Sequence, residues 1–203
     1  MGASAHRRSQ EKRTSQTRAE LVDAAVRCIN ELGYARATTR EIARYAQLSP
    51  GALQYQFGGK DALMLAVILD MRTRLSSALA PSQTALSQLP GDRVDMLVEQ
   101  YWSVVSGAEY QAVMQIMVGA TAGSVFHRAI IGVLTEAERE QDEQWMASFA
   151  DIGPDPQVVT HTRRVVLATL RGVVLRRLHS DRDQCWIDER KLLAEMTRQR
   201  LLG

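Results

Sequence analysis

Thr38-Thr39-Arg40-Glu41-Ile42-Ala43-Arg44-Tyr45-Ala46-Gln47-Leu48-Ser49-Pro50-Gly51-Ala52-Leu53-Gln54-Tyr55-Gln56-Phe57 is the most informative run of this 203-residue chain. Thr38, with Glu41 three residues on, has the form of a capping box. It predicts a short helix through Ile42, Ala43 and Ala46. A turn follows at Gln47-Leu48, and Ser49 caps a second short helix. Pro50 takes the first position of that helix, where a missing N–H costs nothing. Gly58-Gly59 breaks it. Leu53 and Phe57, four apart, can face a core, which leaves Gly51, Ala52, Gln54, Tyr55 and Gln56 facing outward. Two small residues, two amides and a phenol make a poor core face. They suit the edges of bases and phosphates. Two short capped helices joined by a tight turn are a helix-turn-helix, whose second helix enters the major groove, about 12 Å wide.

The surroundings extend this into an all-α chain. Leu21, Ala25, Cys28, Ile29 and Leu32 recur at helical spacing, so a first helix is expected from about Ser15–Thr17 to Gly33. A longer helix begins near Lys60, with Leu63, Val67, Ile68 and Met71 on one face, and fades before Pro81. Residues 81–91 read as a loop. Further helices are expected at about 92–107, 109–120, 122–149, 155–179 and 186–202, with breaks at 107, 119–123, 151–154 and 180–184. No stretch alternates with period two. The expected organisation is a flexible basic arm at 1–15, a three-helix DNA-binding domain at 16–62 and a larger helical domain at 63–203. Arg7, Arg8, Lys12 and Arg13 in the arm either enter a minor groove or form a solvated tail.

Charge is unevenly spread. Residues 1–60 carry ten Lys and Arg against five Asp and Glu, and residues 61–203 carry fifteen against eighteen. A basic front on a slightly acidic body is compatible with a polyanion partner. No charge-free apolar run reaches the roughly 18 residues needed to span a bilayer, and no secretory h-region follows the N-terminus. Cys28 and Cys185 form no disulfide framework, so a reducing cytoplasm is the expected setting.

Residues 18–65 resemble the DNA-binding domain of the TetR family of bacterial regulators. The resemblance rests on Ala24-Ala25, Glu31-Leu32-Gly33-Tyr34, Thr38–Ala43, Leu48–Leu53, Tyr55-Gln56-Phe57 and Lys60-Asp61-Ala62-Leu63. It implies that Thr39 and Arg40 contact DNA from the start of the second helix. Pro50, Gly51 and Ala52 match the opening of the recognition helix. Gln54, Tyr55 and Gln56 match its groove-reading and phosphate-clamping positions, and Lys60 resembles the family's phosphate-contacting lysine. Gln54 suits a base directly, since an amide can bond an adenine edge in two places. For Tyr55 the other reading is packing against the first helix. Three positions depart from the family pattern. Gln47 stands where the turn usually has glycine, Gln54 replaces a common aromatic, and Gln56 replaces a histidine or similar residue.

The resemblance further implies a dimer, paired through the last two long helices as a four-helix bundle, and a small-molecule effector in the C-terminal domain. The apolar stripe Val158, Val165, Val166, Thr169, Leu170, Val173, Val174 and Leu178 fits such pairing, and Gly172 allows a close helix approach. For a largely apolar effector, the candidates are Trp102, Met114, Met117, Phe126, Trp145 and His161, though each could equally be core. No catalytic or metal-binding motif is present, and no cofactor is expected. The resulting expectation is a DNA-binding transcriptional regulator, a repressor released from a palindromic operator by its effector, and not an enzyme. The alternative is a helical ligand-binding or adapter protein without specific DNA binding.

Overall fold

The computed structural model describes residues 2–81, 86, 88–177 and 187–203, with side chains for all of these except 2–9, 11 and 177. The described residues form helices and connecting turns, with no strand. In chain order the helices are α1 (Gly2–Leu32), α2 (Thr39–Tyr45), α3 (Pro50–Phe57), α4 (Lys60–Leu79), α5 (Pro90–Val105), α6 (Ala108–Gly119), α7 (Val125–Ser148), α8 (Pro156–Arg177) and α9 (Ile187–Leu202). The residues separate into two compact units. One holds residues 1–71 and 108–133, the other 72–107 and 134–203.

The first unit is built on the apolar face of α1. Leu21, Ala25, Cys28 and Ile29 are enclosed, as their spacing predicts, and Ile42, Ala43, Leu53, Leu63 and Val67 of the same unit are buried too. Cys28 is buried, and burial pushes its thiol pKa up, so it is an unreactive core residue. α1 does not begin at Ser15. It runs from Gly2 through the segment expected to be an irregular arm. Residues 12–16 are exposed, in keeping with their lack of an apolar period.

Chain order would place α6 with the C-terminal helices, yet α6 packs on α1. Asn30 Nδ2 donates to the Ala108 carbonyl at 2.8 Å. At the other end of α6, Gly119 lies so close to Tyr34 that a Cβ there would sit 2.2 Å from the ring Cδ1.

The second unit packs α5, α8 and α9 against one another. Val94, Leu97 and Val98 of α5, Val166 and Leu170 of α8, and Leu193 and Leu201 of α9 are among its buried residues. The rings of Tyr101, Trp145 and Phe149 form a file with centroids 6.0 Å apart. Arg93, 2% exposed, donates to the Ser148 carbonyl and bidentately to Asp151, each bond 2.7 Å. The guanidinium thus caps the C-terminal end of α7 and holds the Asp151 carboxyl below its usual range.

Three local expectations shift. α5 begins at Pro90, inside the expected loop, because Pro at a first helical position starts the helix early. Gly172 meets nothing within 4 Å of a built Cβ among the described residues, so the close approach it allows is not used there. Within the apolar stripe, Val166, Leu170 and Val174 are buried while Val165 and Thr169 are exposed. Leu178, Cys185 and the break at 180–184 lie outside the described residues.

Candidate nucleic-acid interface

The α2–turn–α3 segment is set by its caps. Thr38 Oγ1 accepts from the Glu41 N–H, and Ser49 Oγ accepts from the Ala52 N–H, each at 3.2 Å. The reciprocal half of the expected capping box is not made. The Glu41 carboxylate turns to Arg44 at 2.9 Å, a charged partner on the same helix face. In the turn, Gln47 has φ 56°, the left-handed conformation that glycine adopts freely. The side chain at this position therefore carries a backbone strain that the family's usual glycine would avoid. Pro50 occupies the first turn of α3, and Gly58, at φ 72°, ends the helix.

This geometry sorts α3 into two faces. Leu53 and Phe57 are buried, 0% and 8% exposed, while Tyr55 is 82% exposed. Gly51 and Gln54 are exposed, and Ala52 and Gln56 are half-buried. Tyr55 therefore does not pack its ring against α1. Arg40 is exposed at the start of α2, and Thr39 is half-buried beside it. Gln54 Nε2 donates to the Gly58 carbonyl at 2.9 Å, closing the end of α3. This bond uses one of the two amide N–H donors and leaves the other and the carbonyl oxygen free for a base edge.

Lys60 is held inward. Its Nζ donates to the Tyr34 carbonyl at 2.8 Å and lies 4.1 Å from the Tyr34 ring centroid. Burial lowers its pKa. An ammonium has three donors, so this bond leaves capacity for a phosphate.

Two neighbours were not singled out from the sequence. The Arg18 guanidinium stacks 4.3 Å from the Phe57 ring centroid, and Arg27 donates to the Tyr45 carbonyl at 3.3 Å. Arg18 precedes the first buried α1 position by three residues, the i, i+3 relation that shares a helix face.

Residues 21–67 match the family model for bacterial regulatory proteins of the tetR family. Over 69 residues, 34% of this chain, it is 42% identical to the HTH-type transcriptional regulator BetI 2 of Chromohalobacter salexigens, 33% of whose length is covered. This chain carries a TetR-family helix-turn-helix domain. It spans between a third and a half of the length of the curated relatives it matches. Similarity of fold is wider. GusR of Salmonella enterica aligns over 93% of this chain and 96% of its own, at TM-score 0.68 and 22% identity. FadR of Bacillus subtilis, solved in complex with stearoyl-CoA, aligns over 88% and 96%, at TM-score 0.68 and 16% identity. These likenesses show the fold of the helices that follow the TetR-type domain.

Beyond the TetR-type segment, the six effector candidates fall into two groups. Met114, Met117 and Phe126 belong to the first unit, and Trp102, Trp145 and His161 to the second. Within the second unit Trp145 is enclosed, Trp102 is half-buried under Arg190 at 4.8 Å, and His161 is exposed. His161 lines a groove of about 530 Å³ with Val165, Val166, Leu193 and Met196. Trp102 and Trp145 are not among its lining residues. No helix among the described residues is long and apolar enough to cross a membrane, and none of their His, Cys, Asp and Glu side chains cluster as a metal site.

Proposed function

We propose that this chain is a homodimeric transcriptional regulator, a repressor that leaves a palindromic operator when an effector binds. The observation that carries the reading is the sorting of α3. Buried Leu53 and Phe57 anchor it, and exposed Gly51, Gln54 and Tyr55 present a small polar edge. Thr39, Arg40, Pro50, Gly51, Ala52, Gln54, Tyr55, Gln56 and Lys60 form the contact set. Gln54 reads a base, and Arg40, Tyr55 and Lys60 hold phosphates. One recognition helix enters each half-site, and the half-sites lie about one helical turn apart.

Dimerisation through α8 and α9 is supported by the exposed apolar side chains Val165, Leu192 and Met196, and by the open surface at Gly172. A small-molecule effector in the C-terminal helices would favour a dimer whose recognition helices are wrongly spaced. Release requires tighter effector binding to that form. A differential of about 3 kcal/mol weakens operator binding roughly a hundredfold. The chain acts by binding rather than catalysis, in the cytoplasm where its DNA lies. That the proteins it resembles are named as regulators supports this.

The test is selection of bound fragments from random DNA, followed by a salt series. An enriched palindrome bound with steeply salt-dependent affinity is expected. Equal retention of all sequences would favour the adapter reading.

A further inference from the structure

The positive charge at the front of the chain is concentrated ahead of the helix-turn-helix. Residues 1–19 hold five Lys and Arg (Arg7, Arg8, Lys12, Arg13 and Arg18) against one acid, Glu11, while residues 20–60 hold five against four. The basic cluster therefore precedes the segment 21–67 that matches the family model. None of the nine contact residues proposed above belongs to it.

The fold makes this segment a helix rather than a tail, since α1 runs unbroken from Gly2 to Leu32. Its first half is rich in Ala, Arg, Gln, Lys and Glu, good helix formers, and has no proline. Alone, such a stretch would be marginal. Here it propagates from the packed half of α1 and needs no nucleus of its own. Gln16 Nε2 donates to Glu20 Oε1 at 3.0 Å across one turn, and Lys12 and Arg13 are exposed.

Two contacts fix where this helix points. The Arg18 guanidinium stacks on Phe57, the last residue of α3. Nine residues later, Arg27 donates to the carbonyl of Tyr45, the last residue of α2. α1 thus passes behind the helix-turn-helix from the C-terminal end of α3 toward the turn. Followed backwards from Arg18, it continues past the end of the recognition helix. At 1.5 Å per residue, Arg13 and Lys12 stand about 8 and 9 Å farther along the axis. α3 has 8 residues, a length of about 12 Å, comparable to the width of a major groove. With α3 in the groove, a cation that far past its end meets the phosphate wall rather than the bases. Long stems let Lys12 and Arg13 swing toward one side.

We propose that the part of α1 before Arg18 is a helical clamp on duplex DNA, with Lys12 and Arg13 gripping backbone phosphates beyond the bases that α3 reads. The clamp adds affinity and length of footprint and carries no base preference. It rests on the DNA-binding reading above and extends the contact set beyond the helix-turn-helix.

The experiment uses the full chain and two probes, the palindrome enriched from random DNA and a random-sequence duplex of the same length. The double variant Lys12→Gln, Arg13→Gln is expected to lower the salt slope by about two units on both probes. Its binding at about 0.1 M salt should weaken tenfold or more, and hydroxyl-radical protection should shrink at the outer edges of the footprint. Base preference and unfolding midpoint should match wild type, since both side chains are exposed. Ser15→Pro keeps every charge and lets the packed part of α1 restart with proline at its first position. It is expected to lose the same edge protection. Full edge protection in Ser15→Pro overturns the helical clamp, because a flexible tail then serves as well. A palindrome bound with unchanged slope by the double variant sinks the clamp and leaves the regulator standing. A lowered slope on the random duplex, with no palindrome enriched, upholds the clamp and sinks the regulator. Binding to neither probe sinks both.

Discussion

The α3 face and the interior of the second unit handle polar groups in opposite ways. On α3, Tyr55 is exposed to water, and Gln54 is exposed with one bond to the Gly58 carbonyl. In the second unit, Arg93, Arg163 and Tyr101 are buried and depend on protein partners. A surface built for a partner can leave its polar atoms to solvent at no cost. An interior cannot, since a buried polar group without a partner costs free energy. Removing an exposed side chain from α3 should therefore change binding with little effect on stability. Removing one from either core should change stability first.

The largest effect is expected at the support of that surface. Leu53→Ala should cost about 2–5 kcal/mol of stability, read by denaturant unfolding, and operator affinity should fall with it. A fully stable variant would mean α3 is not anchored by its buried face. Gln54→Ala should cost about 1–3 kcal/mol at the operator and relax preference at one base position. Its unfolding midpoint should stay near wild type, since the lost bond to Gly58 is exposed. An unchanged base preference would remove Gln54 from the reading set. Lys60→Ala should weaken binding evenly across sequences and lower the salt slope by about one unit. An unaltered slope would mean the ammonium serves only Tyr34. Gln47→Gly should stabilise the chain by up to about 1 kcal/mol by relieving the left-handed backbone.

The smallest effect contrasts the two regions by pH. Asp151 has its carboxyl pKa depressed, first by its hydrogen bond with Arg93. Its contribution is present above the ordinary carboxylate pKa and is lost as pH falls through the lower folded value. Asp151→Asn should therefore flatten the acid limb of the stability profile without touching DNA binding. An identical acid limb would show that Arg93 relies on the Ser148 carbonyl alone.

The helix-turn-helix was legible because its determinants are local. Thr38, Ser49 and Pro50 act within three residues, and Leu53 and Phe57 declare the buried face by spacing alone. Gln47 was legible through the resemblance, which places glycine at that turn position, where φ is 56°. The helical state of residues 2–15 was hidden, because a helix without an apolar stripe and a solvated tail have the same composition. The buried bonds that join Tyr101, Gln141 and Arg163 were hidden for a different reason. Tyr101 and Gln141 are forty residues apart, and Arg163 a further twenty-two. Only packing brings them together, and in the sequence Arg163 reads as one more arginine punctuating an apolar stripe. The placement of α6 on α1 was likewise nonlocal, resting on Asn30 and Ala108, seventy-eight residues apart.

That seating has a consequence for register. Where Tyr34 meets α6, the helix offers a single hydrogen atom as its side chain. The flanking positions, Val118 and Ala120, both carry a methyl or more. If α6 slipped along its axis by one residue, a branched or methyl group would be driven into the ring. The aromatic therefore works as a key in a keyway, admitting one axial setting of the helix and rejecting its neighbours.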